Sequence, residues 1–130
     1  MGRKSDQSKK ATRPGEYLAF FTMTIPTKEG LGYAFLACDA FSQFGFSIGV
    51  EPSESPEMVL KNIYLLTENP EFIKLHNAGF TLVLKDFHDL KQRIESIINP
   101  INGNLIYDEK FNNHIAAPLK RSFQQFLKSI

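Results

Sequence analysis

The chain has 130 residues, 42% of them hydrophobic, with twelve Phe and a formal net charge of +1. That length and apolar content exclude a disordered polypeptide and fit one compact α/β domain with a sizeable core. No apolar run approaches the roughly 18 residues that span a bilayer, and the opening MGRKSDQSKK lacks the apolar stretch of a secretory signal, so a cytoplasmic protein with no membrane partner is expected.

Charge is unevenly spread. Residues 1–14 carry Arg3, Lys4, Lys9, Lys10 and Arg13 against Asp6, a net of +4; residues 110–130 carry Lys110, Lys120, Arg121 and Lys128 with no acid, another +4; residues 15–109 therefore hold −7. The Ser, Gln, Lys and Gly content of the opening predicts a flexible, solvated basic tail over residues 1–14, with the domain occupying 15–130. Basic ends could meet phosphate by electrostatics alone.

Residues 17–25 are rich in aromatic and β-branched side chains and stop at Pro26, and Thr27-Lys28-Glu29-Gly30 turns into a second apolar run at 33–38, which predicts a hairpin. Cys38 lies in that run; a lone cysteine cannot form a disulfide within the chain and reads as a buried thiol. Phe44, Phe46, Ile48 and Val50 alternate with Gly45, Ser47 and Gly49, the period of a third strand with one buried face.

Helices and strands then alternate. Ser55-Pro56-Glu57 predicts a helix start, with Val59, Leu60, Ile63 and Leu66 or Tyr64 as its apolar stripe until Asn69-Pro70. A short helix is expected over 71–77, ended by Gly79, then a buried strand over 80–84. Asp86 is expected to cap a helix carrying Leu90, Ile94, Ile97 and Ile98. Asn102-Gly103 turns into a strand over 105–107. The last helix carries Leu119, Phe123, Phe126, Leu127 and Ile130, with Pro118 beginning or kinking it.

The element order β-β-β-α-β-α-β-α predicts a mixed five-stranded sheet with helices packed on it. Over residues 11–50, ATRPGEYLAFFTMTIPTKEGLGYAFLACDAFSQFGFSIGV, the chain resembles the start of the retroviral-integrase and transposase catalytic core, a member of the ribonuclease H-like superfamily. The residues that carry the likeness are Thr12-Arg13-Pro14-Gly15, Pro26-Thr27-Lys28-Glu29-Gly30 and Asp39-Ala40-Phe41-Ser42-Gln43, with Gln43 where arginine is usual. Beyond residue 50 the likeness is one of topology.

The resemblance implies three carboxylates that hold two divalent metals for phosphodiester chemistry. The first would fall between Phe20 and Thr22, where no acid stands; the second at or after strand 80–84, where Asp86 is available; the third near Lys120, and no acid follows Glu109. The expectation is thus a catalytically inactive, mobile-element-derived domain that binds nucleic acid or protein without a cofactor. Lys9, Lys10, Arg13, Lys120, Arg121 and Lys128 would contact DNA weakly and non-specifically, and a homodimer or a larger recombination-type assembly is a further expectation. Two alternatives stand beside it. One is an active Mg²⁺-dependent nuclease or polynucleotidyl transferase using the displaced acids Asp39, Asp86 and Asp108; the other is a structural dimerisation domain. Asp39 also reads as a turn-stabilising residue, and Asp108-Glu109 as a solvated turn. His76, His88 and His114 are too scattered for a zinc site, His76 and His114 falling in helix-end or loop contexts.

Overall fold

The computed structural model describes residues 10–75 and 78–129. Strands β1 (Tyr17–Thr27), β2 (Gly30–Asp39), β3 (Gly45–Glu51), β4 (Phe80–Leu84) and β5 (Gly103–Tyr107) form a sheet in the order β3-β2-β1-β4-β5. The β1–β2 and β2–β3 pairs are antiparallel, and the β1–β4 and β4–β5 pairs are parallel, so the sheet is mixed as expected. Helices α1 (Pro56–Thr67), α2 (Pro70–Leu75), α3 (Lys91–Ile98) and α4 (Glu109–Ser129) cover it, with single 3₁₀ turns at His88–Leu90 and Asn99–Ile101.

The central strand is buried on both sides, which explains its continuous apolar run. Leu18 and Phe20 point to one face, where Phe35, Leu82 and Leu84 meet α1 (Val59, Ile63, Leu66), α2 (Phe72) and α3 (Ile94, Ile98). Ala19 and Phe21 point to the other, where Leu36, Cys38 and Val83 meet Ile115 and Ala116 of α4. Ser55 caps α1 by accepting from the Met58 amide, and Leu66, not the exposed Tyr64, completes its stripe. Asn69 caps α2 by accepting from the Glu71 and Phe72 amides. The expected end of α2 at residues 76–77 lies outside the described residues.

Several elements differ from the sequence reading, each for a physical reason. Pro26 does not stop β1; it pairs with Leu31 near the hairpin turn, on a stretch where β1 has β4 no longer beside it and a missing amide costs little. The alternation in β3 fails after Ile48, which still packs on the core beside Phe46, because a bulge opposite Phe35 and Leu36 leaves Ile48 without a partner residue. Val50 is thereby turned to the uncovered face, 53% exposed, and Glu51 to the buried one. There Glu51 accepts from Asn62 at 3.0 Å and pairs with Lys61 at 3.2 Å. Gly49 is needed at this crossing, since a Cβ there would stand 2.6 Å from Asn62 Oδ1. Phe44, expected in the buried row, precedes the strand and is exposed.

Asp86 does not cap a helix. Phe87, in the left-handed region at φ 69°, precedes the 3₁₀ turn with no side-chain cap, and α3 begins only at Lys91. The last strand begins at Gly103, two residues before the expected start, and Pro118 lies inside α4. The N-cap of α4 is Asp108, whose Oδ1 accepts from the Phe111 amide at 3.0 Å, so Asp108-Glu109 is a helix start and not a solvated turn.

Candidate functional site

Parallel strands β1 and β4 are neighbours in space although two strands separate them in sequence, and in open α/β sheets crevices for ligands form at such switch points, beyond the carboxyl ends of the strands. Here the β1–β4 ladder runs only from Tyr17↔Thr81 to Ala19↔Val83. Beyond it the strands separate, and the fully buried Asn112 of α4 fills the fork: its Nδ2 donates to the carbonyls of Phe20 at 3.1 Å and Val83 at 2.8 Å.

Phe21, the next residue of β1, faces α4 and is buried. One helical turn after Ala116, Lys120 sets its ammonium 5.4 Å from the Phe21 ring centroid, within cation–π range. Lys85, the residue after β4, donates its Nζ to Oδ1 of Asn113 on α4 at 3.5 Å. Burial, and then the charge of Lys85, pull the Lys120 pKa below the usual lysine value. Among the described residues neither lysine forms an ion pair. The two places where the resemblance calls for acids, 20–22 and 120, are therefore in contact, and they hold an aromatic ring and an ammonium.

This donor set does not fit a divalent metal. Lysine offers only donors, and a phenyl ring offers no lone pair. Among the described residues no group of three or more His, Cys, Asp or Glu side chains is close enough to hold an ion. The displaced acids do not converge either. Asp39 pairs with Leu18 at the start of β1 and is fully buried, its Oδ1 accepting from the Gly15 amide at 2.7 Å and its Oδ2 from the Ser42 amide and hydroxyl at 2.8 and 2.6 Å. Asp86 and Asp108 stand at the opposite end, beyond Leu84 and Tyr107. Asp39 is thus the turn-forming residue and cannot share a site with them.

On the other face of the same end, Thr22 donates its hydroxyl to Glu54. Glu54, Pro56, Phe87, His88, Asp89 and Leu90 line an open cleft of about 320 Å³. His88 stacks on Tyr107 with centroids 4.2 Å apart, and the Tyr107 hydroxyl donates to the Phe87 carbonyl at 2.9 Å. Burial, followed by the charges of Glu95 and Asp89, raises the Tyr107 pKa. His114 lies within α4, exposed, and not at a helix end or in a loop; His76 is outside the described residues.

The basic residues singled out in the sequence do not form one surface. Arg13 donates to the Gly79 carbonyl at 3.1 Å, before β4 begins, while Lys120 and Lys85 lie past its end; six residues of extended chain put these ends roughly 20 Å apart. Glu16 accepts from the Thr12 amide at 2.7 Å, and that bond lowers its pKa, so ordered contacts begin before residue 15. Lys10, Arg121 and Lys128 are exposed, and Lys9 lies outside the described residues. Lys85 is the residue that sequence reading missed; continuing the alternation Thr81, Val83, Lys85 would have placed it on one face, but not shown that α4 covers that face.

No protein-family model matches the sequence, and no curated protein does. Solved structures do match. The chain is similar to one in the simian T-cell lymphotropic virus intasome in complex with PP2A regulatory subunit B56 gamma, with a TM-score of 0.65 and 11% identity over 89% of this chain; it spans 40% of that chain. It is also similar to the HTLV-2 integrase catalytic core domain in complex with magnesium, in its dimeric form (TM-score 0.59, 10% identity, 93% of this chain and 79% of that one) and its trimeric form (0.58, 10%, 93% and 79%). No helix among the described residues is long and apolar enough to cross a membrane. At these identities the likeness is one of fold, and the fold is that of a retroviral-integrase catalytic core.

Proposed function

We propose that this domain is an integrase- or transposase-related module that binds nucleic acid without metal-dependent cleavage. The contact of Lys120 with Phe21 carries the reading. A two-metal mechanism needs carboxylates converging on the attacking and leaving oxygens, and where β1 and β4 part the groups in contact are the Phe21 ring and the Lys120 ammonium. The same charges that repel a divalent cation attract a phosphodiester backbone, whose binding free energy comes largely from counterion release.

The test is to titrate the full chain with Mg²⁺ and Mn²⁺ and, separately, with duplex and single-stranded DNA at increasing salt. The expected result is no nicking with either metal, and sequence-independent DNA binding that falls steeply as salt rises. Nicking that is lost on Asp86→Ala would overturn the reading in favour of an active enzyme. No DNA binding at low salt would leave the structural dimerisation domain as the better description.

A further inference from the structure

We propose that Asn102, with Gly103 after it, is a self-modifying site, a deamidation centre that turns the entry of β5 from an amide into a carboxylate and loosens the edge of the sheet. The reaction needs only water and is independent of the nucleic-acid reading above.

Asn102-Gly103 is the one Asn-Gly pair in the sequence, and the fold requires both residues. Asn102 lies in the left-handed region at φ 67°, and its amide closes the 3₁₀ turn by donating to the Asn99 carbonyl at 3.0 Å. Glycine and asparagine enter that region at least cost. At position 103 a Cβ would stand 2.4 Å from the Phe80 ring and 2.9 Å from the Ile98 carbonyl oxygen, so only glycine fits. Backbone conformation and packing thus select a pair containing a thermally labile side chain.

Both reacting groups are free of protein partners among the described residues. The Phe80 amide donates to the Asn102 carbonyl at 3.2 Å, and the Asp108 amide to the Leu84 carbonyl at 2.8 Å. In a parallel ladder these bonds turn residues 102, 104, 106 and 108 towards β4, so the Gly103 N–H points to the outer side of the edge strand β5. Asn102 is exposed, and it lines an open cleft of about 200 Å³ with Arg13, Glu16, Thr81 and Asn104, where water reaches its side-chain amide. Because the two residues are adjacent, ring closure needs only rotation about the bonds of Asn102 itself.

In the first step the Gly103 nitrogen loses its proton to solvent base and bonds to Cγ of Asn102. The Cγ–Nδ2 bond breaks, and Nδ2 leaves as ammonia, closing a succinimide ring. Water then opens the ring, so that water is consumed and ammonia released with no change of oxidation state. Cleavage at Cγ yields Asn102→Asp, which sets a carboxylate in the cleft with Arg13 and Glu16. Cleavage at the main-chain carbonyl yields an isoaspartyl linkage, whose backbone runs through Cβ and Cγ. The carbonyl that accepts from Phe80 then leaves the main chain, and the longer chain shifts the start of β5 against β4.

The experiment incubates the full chain at neutral and at mildly alkaline pH, folded and in denaturant, and follows each asparagine by peptide mapping and mass spectrometry. In the folded chain Asn102 is expected to show the amide-to-acid mass gain before any other asparagine, faster at the higher pH, with an equal amount of ammonia released. N102G, which suits the same backbone region, should fold and lose this early gain. The isoaspartyl fraction should melt about 4 °C below the fresh chain, the shift of one lost backbone hydrogen bond in a domain of this size.

Conversion at Asn102 in denaturant but not in the folded chain would overturn the proposal, because the fold would then protect the pair; that comparison needs no variant. An early gain that maps first to another asparagine, or that persists in N102G, would also overturn it. An isoaspartyl fraction that melts with the fresh chain would overturn the loosening of β5.

Discussion

The side-chain amide of Asn112 donates at 3.1 Å to the carbonyl of Phe20, a residue 92 positions earlier in the chain. With its second bond, to the Val83 carbonyl, it ties the long C-terminal helix to both strands of the fork. Asn112→Ala would remove both bonds and leave the Phe20 carbonyl, which lies past the last β1–β4 pair, without this donor, at about 1–3 kcal/mol for such a group, and a loss of about 2 kcal/mol in unfolding free energy is expected. Urea unfolding measures it. A loss under about 1 kcal/mol would mean that α4 does not clamp the fork.

Phe35 is fully buried on β2, between the bulge of β3 and the ring of Phe20, whose centroid is 6.0 Å away. Phe35→Ala should cost about 3–5 kcal/mol through lost burial and the cavity left behind. A change under about 1 kcal/mol in chemical denaturation would show β2 to be misplaced.

Cys38 is fully buried, and burial first, with the Asp39 charge second, pushes its pKa from 9.0 to about 11. The folded thiol keeps its proton where the unfolded one loses it, so the Cys38 contribution to stability is intact below pH 9.0 and declines as pH rises towards about 11. At pH 8 the native chain should react with iodoacetamide far more slowly than the chain in denaturant. Equal rates in the two conditions would show the thiol to be accessible.

Lys120 has the opposite sign. Its folded pKa lies below the ordinary 10.5, so between the two values the unfolded chain binds more protons and the Lys120 contribution to stability rises with pH. The difference in unfolding free energy between the native chain and Lys120→Met, followed across alkaline pH, isolates this group from other lysines and tyrosines. It should move in favour of the native chain as pH climbs through that window. A flat or declining difference would mean that Lys120 is neither buried nor repelled by Lys85.

Local chemistry alone determined much of the fold. The apolar runs of β1, β2 and β4, the Ser55-Pro56 start of α1 and the spacing of Leu90, Ile94 and Ile98 were readable because strand and helix periods and caps involve residues a few positions apart. Residues 11–50 also carried the integrase-like order of turns. Helix α4 was only half visible: Pro118 reads as a boundary, yet Asp108 caps a full turn-by-turn start ten residues earlier, and the carbonyl that Pro118 leaves unpaired belongs to exposed His114.

Other features were decided by tertiary structure. The β3 bulge that turns Val50 outward and Glu51 inward is set by pairing with β2 and by Asn62 packing over Gly49, interactions invisible to a period-2 count. The separation of Arg13 from Lys120 follows from the direction of β4 in the sheet, not from any local property of either residue. Lys120 reaches Phe21, and Lys85 reaches Asn113, only because β1 and β4 pair in parallel and α4 crosses both strands where they part. The sequence showed which residue types stand at those positions; the long-range packing that sets the Lys120 ammonium over the Phe21 ring belongs to the folded chain.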